Sequence, residues 1–297
     1  MVGHAFRGLL PNAVYVSSAD YDLRDFHAAR KMYEDHHPDY VIHLAARVGG
    51  VSANLNYLAD FYYENIQINT NVLHGAYKAG TKKVVSLLST CIYPDKVSYP
   101  LTEEQIHNGI PHYSNYAYAH AKRMLDVQSR AYRDQYNCNF ITSVPNNLFG
   151  ENDNFHLEDS HVIPALIRKM YEAKLKGDDV ILWGDGSPLR EFTYSIDLAR
   201  IILFLLENYD GRDPINVGNT AEYSIKAVAE TVADILGFEG NILWDTAKLN
   251  GQHRKPSDNS KLLKLGWDKR DYTDFRPALT KMCEWFIMNY SNARGIQ

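Results

Sequence analysis

The sequence contains few cysteines, and their spacing suits neither a disulfide framework nor a structural metal site. Cys91, Cys138 and Cys283 are the only three in 297 residues, and no two form a Cys-x-x-Cys pair. Secreted disulfide scaffolds and zinc ribbons both need more cysteines at closer spacing. We therefore expect no disulfides and no metal, and a reducing, cytoplasmic location.

Long hydrophobic runs are absent as well. No apolar stretch approaches the roughly 18 residues that a membrane span requires. The first residues also lack the order of a basic segment followed by an apolar one that marks a signal peptide. The sequence therefore predicts no membrane partner and no secretion.

Positive charge is scattered and is not in excess. The formal net charge is −5, and the short basic clusters are Lys82-Lys83 and residues 253–255. Proteins that bind nucleic acid usually carry a basic patch or stripe. We therefore expect no nucleic-acid partner. A hydrophobic content of 45% and a charged content of 23% are instead typical of a soluble globular protein.

Short apolar runs alternate with longer helical patterns through the first half of the chain. The runs at 13–17, 40–45, 83–89 and 139–144 are apolar at consecutive positions, which is typical of strands buried on both faces of a parallel sheet. Helical patterns occupy 26–36, 58–79 and 118–135. The alternation predicts an α/β fold with a doubly wound parallel sheet of the Rossmann type.

The second half predicts a smaller α/β domain for a substrate. We expect a strand at 180–183 and helices at 162–176, 196–208, 224–236 and 274–290, with Ser224 as an N-cap. Residues 1–146 and 191–218 would then form the dinucleotide-binding domain. Residues 147–190 and 219–297 would form the substrate domain.

The beginning of the sequence does not fit the start of a complete dinucleotide-binding domain. Such a domain opens with a strand and a Gly-rich turn that binds the pyrophosphate at a helix N-terminus. Residues 1–7 already have the pattern of the helix that follows the turn. We therefore expect an N-terminal truncation that removes the first strand and most pyrophosphate donors, although a fold that never had them is the alternative.

Tyr118 and Lys122 form a Tyr-x-x-x-Lys pair on a predicted helix. Residues four apart share one helix face, and an ammonium beside a phenol lowers the pKa of the phenol. Ser89 follows a predicted strand, at the sheet edge where ligands bind. Together the three residues resemble the catalytic triad of short-chain dehydrogenases. The alternatives are an incidental surface pair and a serine that only caps the strand end.

Several segments resemble the GDP-L-fucose synthases, a family of extended short-chain dehydrogenases. The resemblance extends from residue 1 to about residue 290 and is carried by segments 43–50, 88–94, 145–150, 153–156, 160–164, 183–184 and 190–192. A cysteine two positions after the strand-end serine, together with a Ser-His-Val-Ile-Pro segment, is distinctive for this family. The usual sugar epimerases and dehydratases lack that combination.

The resemblance implies conversion of GDP-4-keto-6-deoxy-D-mannose into GDP-L-fucose by inversion at C3 and C5 and reduction at C4 with NADPH. It implies that Cys91 is the base and His161 the acid of the epimerisation. A thiol with a pKa of about 8.5 and an imidazole with a pKa of about 6.5 both exchange protons near neutral pH. It further implies that Tyr118 protonates the C4 oxygen, which Ser89 polarises. Lys122 would bind the nicotinamide ribose.

The resemblance also implies binding residues. Those implied for NADP(H) are Gly3, Ser18, Asp22, Leu23, Leu87, Leu88, Ser89, Thr90, Lys122, Pro145, Asn146, Asn147, Leu148 and His161. Those implied for the GDP-sugar are Lys169, Trp183, Arg190 and Asp258, where the cations suit a diphosphate and Trp183 a stacking face, unless Trp183 is a core anchor. Residues 17–19 offer no arginine for a 2′-phosphate, so the preference for NADP rests on the resemblance.

Two other functions stay open. One is a plain 4-epimerase or 4,6-dehydratase, although Cys91 and His161 argue against it because that chemistry needs no acid/base pair at C3 and C5. The other is a non-catalytic, truncated homologue that binds a sugar nucleotide or pairs with a complete relative. The resemblance also implies a homodimer formed through helices 58–79 and 118–135.

Overall fold

The computed structural model describes residues 1–248 and 253–296, and its strands and helices alternate along the chain. The strands in these residues are β1 (Tyr40–His43), β2 (Lys83–Leu87), β3 (Phe140–Pro145), β4 (Asn147–Phe149), β5 (Val180–Trp183), β6 (Leu189–Tyr194), β7 (Ile215–Val217), β8 (Glu222–Ser224) and β9 (Ile242–Asp245). The helices are α1 (Val2–Leu9), α2 (Phe26–His36), α3 (Val51–Asn56), α4 (Leu58–Lys78), α5 (Tyr116–Tyr136), α6 (Val162–Lys176), α7 (Ser195–Asn208), α8 (Ile225–Leu236), α9 (Ser260–Lys264) and α10 (Phe275–Asn289).

The central sheet has four parallel strands in the order β1-β2-β3-β7. Successive side chains of a strand point to opposite faces, so Val84 and Val85 of β2 enter different cores. Val84 packs with α4 and α5, and Val85 packs with α1 and α7. Helices therefore cover both faces, which confirms the predicted doubly wound α/β fold.

A second hydrophobic core lies among α6, α8 and α10. It also receives side chains from the sheet β4-β6-β8 and from the strand pair β5-β9. Ser224 caps α8 as predicted, since its hydroxyl accepts a hydrogen bond from the amide of Ala227. This core carries the elements that approach the central sheet from its carboxyl edge.

The predicted strand at 13–17 is wrong. These residues form no strand, and the side chain of Val14 is 64% exposed. A strand is stable only when a neighbour accepts and donates its backbone hydrogen bonds. Among the described residues no strand lies beside this segment, and Tyr15 instead holds it against α1 by donating its hydroxyl to Leu10 O at 2.9 Å.

The predicted helix at the start of the chain is confirmed as α1. Among residues 1–248 and 253–296, none of the helices combines the length and the apolar character that a membrane crossing would need.

Candidate active site

Ser89 and Cys91 lie just beyond the carboxyl end of β2. The chain turns there into a 3₁₀ turn (Thr90–Ile92), and Ser89 is its N-cap. The Ser89 hydroxyl accepts a hydrogen bond from the amide of Cys91 at 3.3 Å. A small polar residue at this position thus ends the strand, and it leaves a hydroxyl and a thiol together at the ligand-binding edge of the sheet.

Tyr118 and Lys122 reach the same edge from α5. Both are buried, and the Lys122 ammonium donates a hydrogen bond to Leu87 O at 2.9 Å. That bond fixes the helix face against the end of β2. The Ser89 side chain lies close enough to the Tyr118 phenol to favour its ionised form. The structure therefore brings the three residues of the predicted triad together.

The predicted effect of Lys122 on Tyr118 is wrong in this structure. Burial raises the pKa of Tyr118, the nearby Cys91 raises it further, and the hydrogen bond from Ser89 opposes the shift. Burial also lowers the pKa of Lys122 to about 8. Desolvation penalises the charged form of both groups, and sequence spacing alone does not reveal its size.

The Cys91 side chain packs against a small apolar cluster that includes Tyr118. Ala53 and Phe61 complete the cluster, and the Phe61 ring meets the Tyr118 ring edge-on, with 6.2 Å between the ring centroids. The thiol and the phenol therefore belong to the same small cluster. Such an arrangement allows both to act on one substrate ring.

Two cationic side chains lie within electrostatic range of Cys91. Burial lowers the pKa of Arg190 on β6, and Tyr99 and Cys91 oppose that shift. Burial also lowers the pKa of Lys255, which Cys91 raises and Arg190 lowers. The sequence did not single out Lys255. Its signal was the basic cluster at 253–255, which has the appearance of ordinary surface charge.

His161 reaches this region through a loop rather than through the sheet. It is the exposed N-cap of α6, and it follows Asp159, whose carbonyl accepts a hydrogen bond from Gly50 N at 2.9 Å. The backbone of Gly49 approaches the Phe61 ring closely, because a Cβ added at this position would lie 3.2 Å from the ring. The loop that carries His161 thus packs beside the Gly49-Gly50 turn, next to the cluster that holds Tyr118.

Asp153 is a buried acid near His161, and its sequence position predicted no role for it. Its Oδ1 accepts a hydrogen bond from Asn154 N at 2.8 Å, while Oδ2 has no partner in the described part of the chain. Burial raises the pKa of Asp153, and the positive charge of His161 opposes the shift. The two side chains therefore interact electrostatically.

The predicted adenine-ribose residues lie on the loops around α1 and α2. Helix α1 has no side-chain cap, and the position where a Cβ on Gly3 would stand has no atom within 4 Å. Ser18 is exposed, whereas hydrogen bonds from Arg24 engage the Asp22 carboxylate and lower its pKa to about 2. Leu23 O accepts a hydrogen bond from Asn71.

The remaining predicted cofactor residues form a shelf at the ends of β2 and β3. Leu88, Thr90 and Asn146 are buried, and Asn146 receives a hydrogen bond from the Thr193 hydroxyl at 2.6 Å. Pro145 ends β3, and Asn147 and Leu148 start β4. This set fits a dinucleotide, because an uncapped helix N-terminus favours phosphate and because Lys122 and Ser89 suit a ribose and a carbonyl.

The predicted substrate residues fall into two groups. Trp183 is 64% exposed, which excludes the core-anchor alternative. The ammonium groups of Lys169 and Lys248 lie 6.0 and 5.6 Å from the centroid of its ring. An open aromatic face beside two cations suits a nucleotide. Asp258 differs, because its carboxylate accepts a hydrogen bond from Ser260 N at 2.7 Å and so caps the start of α9.

Comparisons with known proteins agree with this geometry. The sequence profile of the NAD dependent epimerase/dehydratase family matches residues 8–218. A GDP-L-fucose synthase of Dictyostelium discoideum is 45% identical over 283 residues, which is 95% of this chain and 88% of that protein.

Solved structures extend the similarity to the fold. A GDP-L-fucose synthetase from Naegleria fowleri bound to NADP superimposes with a TM-score of 0.93 at 41% identity, over 99% of this chain and 92% of that chain. A GDP-6-OMe-4-keto-L-xylo-heptose reductase from C. jejuni superimposes with a TM-score of 0.90 at 30% identity, over 97% of this chain and 95% of that chain.

Proposed function

The chain belongs to the GDP-L-fucose synthases of the NAD dependent epimerase/dehydratase family, and from this premise we propose that it converts GDP-4-keto-6-deoxy-D-mannose into GDP-L-fucose with NADPH. The observation that carries the proposal is the grouping of Ser89, Cys91 and Tyr118 at the carboxyl end of β2. That edge therefore offers a base and a proton donor for one keto-sugar.

Epimerisation needs a base and an acid that face the sugar ring. A proton on C3 or C5 is acidic because the C4 carbonyl stabilises the resulting enolate. Cys91, as the thiolate, removes that proton, and His161 returns a proton to the opposite face. Each residue thus acts on the atom next to the carbonyl.

Reduction uses the other side chains of the site. NADPH, when bound, supplies the hydride that reduces C4. Tyr118 donates a proton to the C4 oxygen, and its raised pKa keeps the phenol protonated near neutral pH. Ser89 polarises the carbonyl by donating a hydrogen bond to the same oxygen. Lys122 would hold the ribose of the cofactor.

NADPH consumption with GDP-4-keto-6-deoxy-D-mannose tests this assignment. Tyr118→Phe removes the proton donor, so the rate should fall by roughly a hundredfold or more. Tyr113→Phe is the matched control, since Tyr113 is an exposed tyrosine in the turn before α5, and it should keep the wild-type rate. A Tyr118→Phe enzyme with the wild-type rate would exclude the proposed donor.

A reductase without epimerase activity is the second candidate, because a relative named as a reductase shares the fold at 30% identity. Solvent deuterium separates the two functions. The wild type should incorporate deuterium at C3 and C5, and Cys91→Ser should abolish that incorporation, while Cys138→Ser should not. Product that forms without deuterium at C3 or C5 in the wild type would favour the plain reductase.

We also propose that the protein is a cytoplasmic homodimer that pairs through α4 and α5. A groove on this face is lined by Leu58, Ala59, Tyr62, Tyr116, Ala117, His120 and Met124. The proposed division into a domain of residues 1–146 plus 191–218 and a domain of residues 147–190 plus 219–297 is supported by the separate hydrophobic cores. Phe192 and Tyr194 of β6 nevertheless pack in the second core, and Leu262 and Trp267 pack against α7 and the central sheet.

A further inference from the structure

Glu191 is a buried carboxylate on β6 that the proposed mechanism does not use. It is 3% exposed, and its Oε1 accepts a hydrogen bond from Ser257 N at 2.9 Å. Its Oε2 accepts hydrogen bonds from the Ser257 hydroxyl at 2.6 Å and from Asn146 Nδ2 at 3.3 Å. Burial raises its pKa, and these three donors oppose the shift because they favour the ionised form.

Ser257 belongs to an extended segment, residues 253–258, which we call the strap. The strap lies along β6, since Leu189 N donates a hydrogen bond to His253 O at 2.8 Å. It also lies along residue Leu101, whose amide donates to Pro256 O and whose carbonyl accepts from Asp258 N. Glu191 adds side-chain bonds to this backbone pairing, and through Asn146 it joins the strap to the cofactor shelf.

The residues beside these bonds are the two cations near Cys91. Arg190 directly precedes Glu191 on β6, and Lys255 lies two positions before Ser257 on the strap. Burial lowers the pKa of Lys255 and the positive charge of Arg190 adds to that shift, so the two cations lie close enough to repel each other. A doubly charged ligand between the two cations offsets that repulsion, and the diphosphate of a GDP-sugar has the required charge.

We propose that Glu191 is a positioning residue for the substrate diphosphate. By binding Ser257, it latches the strap to β6 and holds Arg190 and Lys255 as one anion-binding pair. This inference rests on the proposed function, because the ligand it names is the diphosphate of the GDP-sugar. It also predicts that losing the latch weakens binding of GDP but not of NADPH, since Asn146 keeps its bonds to Thr193 and Asn219.

Binding of GDP and of NADPH, measured separately by calorimetry on the full chain, tests the latch. Glu191→Leu and Ser257→Ala should each weaken GDP binding by about tenfold. Binding of NADPH should change by less than about twofold, and thermal unfolding of the variants verifies that the fold is intact. Ser257→Ala removes one hydroxyl, so it provides a milder variant should Glu191→Leu fail to fold.

Glu222→Gln is the matched control. Glu222 faces Glu191 across the β6-β8 ladder, and its carboxylate pairs with Arg254 of the same strap. Arg254 is 51% exposed and Glu222 is 18% exposed, so solvent screens this ion pair more than it screens the buried Glu191–Ser257 bonds. GDP binding should therefore change by less than about twofold. A similar loss in Glu222→Gln and Ser257→Ala would show that any strap contact matters, and it would contradict a special role for Glu191.

Two further results would overturn the latch. One is unchanged GDP binding in Ser257→Ala, and the other is an equal loss of GDP and NADPH binding, which indicates general loosening. A wild-type protein that binds neither ligand would instead refute the proposed function itself. If the wild type bound both ligands and the variants bound GDP as tightly as the wild type, only the latch would be refuted.

Discussion

His43 is a buried imidazole beneath the candidate active site, and its protonation state follows from its partners. It is 4% exposed, and its Nε2 lies 3.0 Å from Asn69 Oδ1. Because Asn69 Nδ2 donates a hydrogen bond to Ala121 O, Oδ1 must be the acceptor and Nε2 carries the proton. Burial and, to a smaller extent, the charge of Lys122 together lower the pKa of His43 to about 4, against the opposing hydrogen bond with Asn69.

This neutral histidine predicts a pH dependence of stability. Between pH 6.5 and 4 this histidine is protonated in the unfolded chain but remains neutral in the folded protein. The contribution of His43 to the free energy of unfolding is therefore fully present above pH 6.5 and is lost as the pH falls. The free energy of unfolding should fall by up to about 1.4 kcal/mol per pH unit in that window. Urea unfolding of the wild type and of His43→Gln across the window measures the difference.

His43→Gln should have the shallower pH dependence, because glutamine does not titrate. His27→Gln, at an exposed position on α2, is the control and should retain the wild-type slope. Equal slopes for His43→Gln and the wild type would show that His43 takes up its proton in the folded state.

The sequence could predict a site residue when its position depends on local spacing. Tyr118 and Lys122 lie four residues apart on one helix, and Ser89 follows a buried strand, so these three were found. Lys255 was missed because backbone pairings between distant segments bring it to the site, and Asp153 was missed because local spacing does not reveal that a carboxylate is buried. The pKa of Tyr118 was predicted in the wrong direction, since burial depends on the whole fold.

At the scale of elements, helices with local end signals were the most predictable. The bounds predicted for α2 and α6 are those observed. For α2 the signal is Asp25, whose carboxylate accepts a hydrogen bond from Ala28 N, and the helix ends at the left-handed residue His37. Both signals lie within a few residues of the helix that they delimit.

Short strands were less predictable, because a strand depends on its neighbour. Strands β4, β7 and β8 have three residues each and were not predicted, and neither were β9, with four residues, and β6, with six. The segment 13–17 has the composition of a strand but lacks a neighbouring strand in the described residues. Composition therefore indicates which segments can form strands, while pairing decides which of them do.

Ser224 gives a test at this scale. Its hydroxyl accepts a hydrogen bond from Ala227 N at 3.0 Å and caps α8, whose Val228 and Val232 lie in the second core. Ser224→Ala should lower the free energy of unfolding by about 1 kcal/mol, measured with urea. Ser224→Asp keeps an acceptor and should stay close to the wild type. If Ser224→Asp lowered the free energy of unfolding as much as Ser224→Ala does, loss of the helix cap would not explain the destabilisation.

At the scale of the whole molecule, the candidate site joins two parts of the fold. The central sheet and α5 supply Ser89, Cys91 and Tyr118, while the loop before α6 and the strap supply His161 and Lys255. Acid, base and anion-binding groups therefore depend on how the second core packs against the carboxyl edge of the sheet. A rigid backing for α5 would keep these two parts in register.

The pairing proposed above would give α5 such a backing, because a second copy of the chain would cover the outer face of α4 and α5. Tyr62 on α4 is 46% exposed, and Met124 and Val127 on α5 are also exposed. An apolar surface of this kind on a helix pair is typical of a protein interface. Pairing two copies would bury the back of the helix whose inner face carries Tyr118 and Lys122.

Substitution of the groove residue Met124 tests this assembly. A carboxylate buried in an apolar interface without a partner is strongly unfavourable, so Met124→Glu should convert a dimer into a monomer of 33.9 kDa. Sedimentation velocity measures the mass directly. Ile181→Glu places the same charge on an equally apolar position of β5, 60% exposed and outside the groove, and should leave the dimer intact. If Ile181→Glu dissociated the dimer and Met124→Glu did not, the interface would lie at β5 instead. If the wild type were a monomer, pairing through α4 and α5 would be excluded.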